Sequence, residues 1–70
     1  MVANKNKFNG KMAENEYTIP KLATALGLAE ATVRLKIKSV KYEFTLSESI
    51  KIKKLWELTD AEYLDIFINF

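Results

Sequence analysis

The side chains best suited to chemistry in this chain are basic and lie in its middle. Residues 34–54 hold seven Lys or Arg residues against two Glu residues, a net charge of +5. Residues 55–70 hold four acidic residues and no basic one, a net charge of −4, and residues 1–33 carry only +1. Segregated charge of this kind predicts one face that meets an anionic partner. A lysine-rich surface that only faces solvent is the alternative interpretation.

Groups for catalysis or metal binding are scarce. The 70 residues include no Cys and no His, so disulfides, thiolate metal sites and the usual general base are ruled out. A chain of this length forms one small domain in which a deep pocket is not expected. We therefore predict that the protein is not an enzyme and has no metal, cofactor or small-molecule substrate.

The sequence shows no segment of the length needed for targeting or membrane insertion. Residues 1–11 are polar, and no apolar run approaches the roughly 20 residues of a membrane span. We expect a cytoplasmic protein without a membrane partner.

Capping signals and periodicity predict the elements that position these side chains. The expected fold is all-α, a single domain over residues 1–70 with five short helices. Thr18 can cap the second helix, and two capping boxes, Thr45 with Glu48 and Thr59 with Glu62, open the fourth and the fifth. The fifth helix is expected to reach about residue 67.

The first helix is the least sharply bounded. Phe8 and Met12 lie four residues apart on one face, Asn4 or Asn6 can cap the helix, and it is expected to end near Asn15.

Three residues predict a helix-turn-helix over about residues 18–38. Ala23 allows two helices to approach closely, Gly27 supplies the backbone angle of a short turn, and Val33 fills the gap between the helices. The hydrophobic set is completed by Leu22, Leu26, Leu28 and Ile37, and the third helix is expected over 29–38. Two helices of an ordinary bundle that meet at a glycine are the alternative.

The fourth helix has an ambiguous apolar face. Its stripe passes through Ser49 and comprises Leu46, Ile52, Leu55 and Trp56. Either Ile50 is partly exposed, or the helix is rotated so that the stem of Lys54 is buried. We expect the first, because an exposed Ile costs less than an unpaired buried ammonium. Phe44, just before the cap, is predicted to act as a hydrophobic staple.

Four stretches of the sequence are similar to a known family. They are Tyr17–Ala23 with Leu26-Gly27-Leu28, Ala31–Arg34 with Lys36-Ile37, Glu43–Glu48, and Leu58–Tyr63 with Ile66-Phe67. From about residue 8 to residue 70 the chain resembles the lambda-repressor-like regulators of temperate phages, and among them the small Cro-like proteins. The resemblance implies a five-helix domain that places its third helix in the major groove of DNA, usually as a dimer on a two-fold operator.

The chain departs from that family at three places. Ile19 or Pro20 stands where many relatives have a phosphate-binding Gln, and Ala29 stands where many have Ser. Ser39-Val40 replaces the Asn-Gly that is common after the third helix.

A helical-wheel projection of the third helix gives the side chains expected to face DNA. Val33 and Ile37 are taken as the inward residues. The outward residues are then Ala31, Arg34, Leu35 and Lys38, with Glu30 and Thr32 beside them in the first turn. Arg34 can donate two hydrogen bonds to guanine, and Glu30 can accept one from cytosine. Ala31 or Leu35 can contact a thymine methyl group. We predict that these six residues read bases.

A second set of residues is predicted to bind phosphates, which sets position and salt dependence rather than sequence choice. Its members are Lys21, Lys36, Lys41 and Tyr42.

The sequence thus predicts a sequence-specific regulator of transcription that binds double-stranded DNA. Leu35 keeps an alternative open, because an exposed Leu suits a protein surface better than a phosphate-lined groove: the protein would then be a modulator that binds another regulator. A purely structural helical module is the third possibility. The apolar C-terminal segment around Ile68 and Phe70 either packs on the core or forms a homodimer contact.

Overall fold

The computed structural model describes residues 1–39 and 41–67, and the predicted all-α fold with five short helices is confirmed there. The helices are α1 (Lys5–Glu14), α2 (Ile19–Leu26), α3 (Glu30–Lys38), α4 (Leu46–Leu55) and α5 (Asp60–Phe67). None of these five helices has the length and apolar character needed to cross a lipid bilayer.

Four helices begin at the predicted side-chain caps, which are Asn4, Thr18, Thr45 and Thr59. Both capping boxes are complete: Thr45 N–H donates to the Glu48 carboxylate at 2.9 Å, and the Glu48 N–H donates to the Thr45 hydroxyl at 3.1 Å. The box at Thr59 has the same two distances. α3 begins one residue later than predicted, because Ala29 stands at its N-cap and makes no side-chain hydrogen bond there.

Three connections, α1–α2, α2–α3 and α4–α5, share one backbone geometry. Each contains a residue in the left-handed region, namely Glu16 (φ 58°), Gly27 (φ 71°) and Glu57 (φ 49°). At Gly27 the Leu28 N–H donates to the Ala23 carbonyl at 2.9 Å, and the Gly27 N–H donates to the Thr24 carbonyl at 3.2 Å. This is the Schellman motif, and the same two bonds are present at Glu16 and Glu57.

An aromatic cluster forms the centre of the core. The Phe8 ring stacks on Phe44 with centroids 5.3 Å apart, and it meets Trp56 edge-on at 5.1 Å and Phe67 at 6.2 Å. The staple predicted for Phe44 is wrong, because its partner position in α4 is the polar Ser49, and the ring instead lies in this cluster. α1 therefore packs against the rest of the fold through Phe8.

The α2–α3 part of the core agrees with the predicted pattern. The buried residues there are Leu22, Ala23, Leu26, Val33 and Ile37, as expected from their spacing. α2 packs mainly on α3, and α1 contacts both α3 and α5.

The predicted apolar stripe of α4 is wrong at Leu46 and at Leu55. Leu46 is 62% exposed and Leu55 is 39% exposed, whereas Ser49, Ile52 and Trp56 are buried. The Ser49 hydroxyl lies 2.7 Å from the Tyr63 hydroxyl and donates to the Leu46 carbonyl at 2.8 Å, which turns this polar residue inward. At 100° per residue the two leucines then lie about a quarter turn from the buried line. Ile50 is exposed, as expected.

Candidate nucleic-acid interface

The outer face of α3 consists of the residues that the helical projection placed outward. They are Ala31, Arg34, Leu35 and Lys38, all of which are exposed; Glu30 is exposed beside them and Thr32 is half-buried. The helix is held by Val33, which is fully buried, and by Ile37. Six residues predicted to read bases therefore lie on or beside one surface.

The turn before α3 fixes the direction in which that face points. Gly27 has φ 71° and ψ 33°, the left-handed conformation that the sequence predicted for it. A Cβ added at Gly27 would meet no atom within 4 Å, so the backbone angle and not a lack of space calls for glycine. Ala23 and Val33 are both buried, as the predicted helix-turn-helix requires.

Arg34 and Glu30 form a pair along the outer face of α3. The Arg34 guanidinium nitrogen lies 3.7 Å from the Glu30 carboxylate oxygen, and both side chains are half-exposed. That separation is too long for a hydrogen bond, and an exposed pair of this kind contributes little to stability. Both groups are therefore free to exchange this contact for one with a ligand.

Lys36 does not fit its predicted role as a phosphate contact. Its ammonium group donates to the Glu43 carbonyl at 2.8 Å and to the Glu48 carboxylate at 3.0 Å, and its side chain is only 14% exposed. The side of α3 that carries Lys36 faces α4, so this residue links the two helices. Burial alone would raise the pKa of Glu48, but the Thr45 N–H and the Lys36 ammonium together hold that pKa below its usual value.

The other predicted phosphate contacts are accessible. Lys21, Lys41 and Tyr42 are exposed. The Lys21 ammonium lies 4.5 Å from the centroid of the Tyr17 ring, and the Lys41 ammonium lies 5.8 Å from that of Tyr42. Exposed contacts of this type are weak, so they leave both lysines available to an anion.

The acidic residues of α5 are paired with lysines of other helices. Lys11 of α1 hydrogen-bonds Glu62, Lys7 of α1 lies 2.6 Å from Asp65, and Lys53 of α4 hydrogen-bonds Asp60. The Lys11 ammonium and the Thr59 N–H lower the pKa of Glu62 to about 2, and the Lys53 ammonium lowers that of Asp60. Hydrogen bonds from Lys11 to Glu62 and Glu14 raise the pKa of Lys11. The sequence did not predict these pairs, and two of them, Lys11 with Glu62 and Lys7 with Asp65, join residues far apart in the chain.

The ion pairs decide which cations stay uncompensated. Across residues 1–39 and 41–67, the lysines without a carboxylate within 4.0 Å are Lys5, Lys21, Lys38, Lys41, Lys51 and Lys54. Two of these, Lys21 and Lys38, lie in the helix-turn-helix itself. The positive field of the molecule therefore comes from a smaller set of lysines than the composition indicates.

A groove between α1 and α3 adjoins the outer face of α3, and we call it the α1–α3 groove. It has a volume of about 280 Å³, and its polar lining consists of Lys5, Asn9, Arg34 and Lys38. Met12, Ile19 and Ile37 form the apolar part. Lys5 and Asn9 could not be assigned to this groove from the sequence, because their i, i+4 spacing places them on one side of α1 but does not tell which helix lies beside it.

Comparison of the chain with protein-family models, with curated proteins and with solved structures found no match in any of the three. The similarity to lambda-repressor-like regulators therefore rests on the sequence motifs alone.

Proposed function

We propose that this protein is a sequence-specific double-stranded DNA-binding regulator of transcription, of the Cro or repressor type. The observation that supports it best is the outer face of α3, which presents Arg34 and Lys38 on a helix fixed by the Gly27 turn and by buried Val33. A nine-residue helix is about 13 Å long, and the major groove of B-DNA is about 12 Å wide and accepts an α-helix.

Each exposed side chain of α3 has a role in this proposal. Arg34 gives up its long contact with Glu30 and donates to the O6 and N7 atoms of a guanine. Glu30, thus released, accepts a hydrogen bond from a cytosine N4. Ala31 and Leu35 contact thymine methyl groups, while Lys38 and Thr32 extend the reading surface at either end. The free protein holds these groups in weak contacts, so little is lost when DNA replaces them.

Lys21, Lys41 and Tyr42 bind backbone phosphates in this arrangement. Lys36 is left out, because its ammonium group already has two partners within the fold.

We further propose that the protein acts as a homodimer on a two-fold operator. The residues predicted to form the dimer contact, Ile68 and Phe70, lie outside the described residues. Leu64, on the exposed side of α5, precedes them and adds apolar surface on the same segment. Sedimentation of Phe70→Ala should show a lower dimer affinity; an unchanged profile would remove the C-terminal segment from the proposal.

A salt titration on random-sequence duplex DNA tests the proposed function. Neutralised phosphates release counterions, so the logarithm of affinity should fall linearly with the logarithm of salt concentration. No binding at low salt would reject the proposal. Footprinting on the DNA next to the protein's own gene would then locate the operator.

A protein-binding modulator is the second candidate function, and Leu35 favours it. This side chain is 45% exposed on the outer face of α3, where it and Ala31 make an apolar strip between charged residues. Leu35→Lys separates the two functions. If the protein binds DNA, the variant should preserve or strengthen salt-dependent binding to random-sequence duplex DNA while weakening preference for the operator. If the protein binds a partner protein through the apolar strip, the variant should abolish that binding.

A further inference from the structure

The α1–α3 groove has cations on both walls and no carboxylate in its lining. Lys5 comes from α1, and Arg34 and Lys38 come from α3. Glu30, which lies 3.7 Å from Arg34, is not among the lining residues. Like charges held together repel one another, and an anion between them removes that repulsion.

The lysines of α1 are divided between two sides of the helix. Lys7 and Lys11 both pair with carboxylates of α5, whereas Lys5 has no carboxylate partner among the described residues. Asn9, one turn after Lys5, brings a neutral amide that can donate two hydrogen bonds. One side of α1 therefore stabilises the fold, and the other side offers donors toward α3.

The groove and the outer face of α3 form one continuous surface. Arg34 and Lys38 belong to both, because each is exposed on α3 and each lines the groove. An anion in the groove would thus adjoin a duplex docked on α3. The apolar residues Met12, Ile19 and Ile37 keep water from one side of the site, which strengthens a charged hydrogen bond there.

We propose that the α1–α3 groove holds a backbone phosphate of the DNA duplex, and that Lys5 and Asn9 of α1 are positioning contacts for it. The inference rests on the proposed function and extends the interface to a helix outside the helix-turn-helix. A phosphate held between α1 and α3 fixes the register of α3 along the groove without reading a base.

Two asparagines of α1 make a matched test. Asn9→Asp places a negative charge in the groove without changing the shape of the side chain, whereas Asn6→Asp makes the same change at an exposed position of α1 outside the groove lining. Affinity for random-sequence duplex DNA is measured at low salt by fluorescence anisotropy. We expect Asn9→Asp to weaken binding about tenfold and Asn6→Asp about twofold or less.

Lys5→Gln gives a second, independent readout. The slope of log affinity against log salt should become shallower by about 0.9, the value for one lost phosphate contact. Lys51→Gln removes an uncompensated lysine from α4 and should leave the slope nearly unchanged. Thermal unfolding followed by circular dichroism checks that all four variants fold.

The outcomes separate this inference from the proposed function. The phosphate site would be overturned if Asn9→Asp and Asn6→Asp lost the same DNA affinity, or if Lys5→Gln and Lys51→Gln had the same salt slope. In either case, binding of the wild-type protein to duplex DNA would still support the proposed function. A wild-type protein that does not bind duplex DNA at low salt would overturn both.

Discussion

Three helix pairs share one turn geometry, and two of them, α2 with α3 and α4 with α5, can be compared position by position. Corresponding positions are held by Gly27, Leu28, Ala29 and Glu30 in the first pair and by Glu57, Leu58, Thr59 and Asp60 in the second. In both, a left-handed residue closes a Schellman motif, and the next side chain, a Leu, turns towards the core. The backbone of the turn is therefore not what makes one pair a candidate for DNA binding.

The difference lies in what the second helix of each pair carries. α5 carries Asp60, Glu62 and Asp65, and lysines of α1 and α4 bind all three. α3 carries Arg34 and Lys38, which the fold leaves exposed and weakly held or unpaired. The same turn thus precedes a helix whose charges are paired within the fold in one place, and a helix with an exposed cationic face in the other.

The largest expected effect is on DNA binding by the outer face of α3. Arg34→Ala should remove preference for the operator over random DNA, by about 1–3 kcal/mol if a bidentate guanine contact is lost, while a weaker non-specific binding is retained, because one cation beside the duplex is lost. Competition binding with operator and random duplexes measures both. Lys51→Ala, which removes an uncompensated cation from α4, is the control and should lower both affinities slightly and equally. Parallel losses in Arg34→Ala would make Arg34 a phosphate contact.

The two turns should respond in opposite directions to changes at the left-handed residue. Gly27→Ala should lower the free energy of unfolding by about 1–2 kcal/mol, because a Cβ is strained at φ 71° even where nothing crowds it. Urea denaturation measures the change. Stability equal to wild type would show that the turn relaxes to another backbone angle.

The N-caps of α3 and α5 give the next comparison. Ala29→Ser should raise the free energy of unfolding by about 1 kcal/mol, since Ala29 already has the extended backbone of a cap (φ −71°, ψ 148°) and lacks only the oxygen. Thr59→Ala should lower it by about the same amount, because Thr59 accepts from the Glu62 N–H. Calorimetric melting of both variants gives the two signs. If both variants gained stability, or both lost it, the assignment of Ala29 and Thr59 as N-caps would be wrong.

A smaller gain is expected at the second turn. Glu57→Gly should raise the free energy of unfolding by about 0.5–1 kcal/mol, because glycine adopts φ 49° without strain but has a more flexible unfolded chain. Urea denaturation beside Gly27→Ala tests both turns with one method. A loss of stability would show that the Glu57 side chain has a role of its own.

The smallest expected effect is the pH dependence of stability that comes from Glu62 and its ion pair with Lys11. The pKa of Glu62 is about 2 in the folded protein against an ordinary 4.5, so its contribution to stability is complete above pH 4.5 and is lost as pH falls towards 2. Glu62→Gln should therefore be less stable than wild type at neutral pH, and should lose less stability across that range. Urea denaturation at several pH values measures this. Identical pH profiles would remove Glu62 from the acid response.

Local signals made the fold and the outer face of α3 predictable. A cap is encoded within four residues, as at Thr45 and Glu48, and the left-handed conformation of Gly27 follows from the residue type. The helical period placed Val33 inward and Arg34 outward. Each of these features depends on residues within one or two turns of chain.

Most features that could not be predicted from the sequence depend on how distant parts of the chain meet. Lys36 sits in a basic run, and only the tertiary fold brings its ammonium group to the Glu43 carbonyl and the Glu48 carboxylate. Nothing local marks Glu16 or Glu57 as left-handed, because Glu rarely takes that conformation. The sequence places Leu46 and Leu55 on the apolar stripe of α4, and only the contact of Ser49 with Tyr63, a residue of another helix, sets the rotation of α4 that leaves both leucines exposed.

Trp56 is an intrinsic fluorescence probe of unfolding. It is the single Trp of the chain, is 4% exposed, and lies edge-on to both Phe8 and Tyr17. An indole in such apolar surroundings emits at shorter wavelength than one in water, so its spectrum follows unfolding directly. Because the ring is buried against Phe8 and Tyr17, a ligand docked on α3 cannot stack on it. A change in emission on mixing with DNA would therefore signal rearrangement of the core.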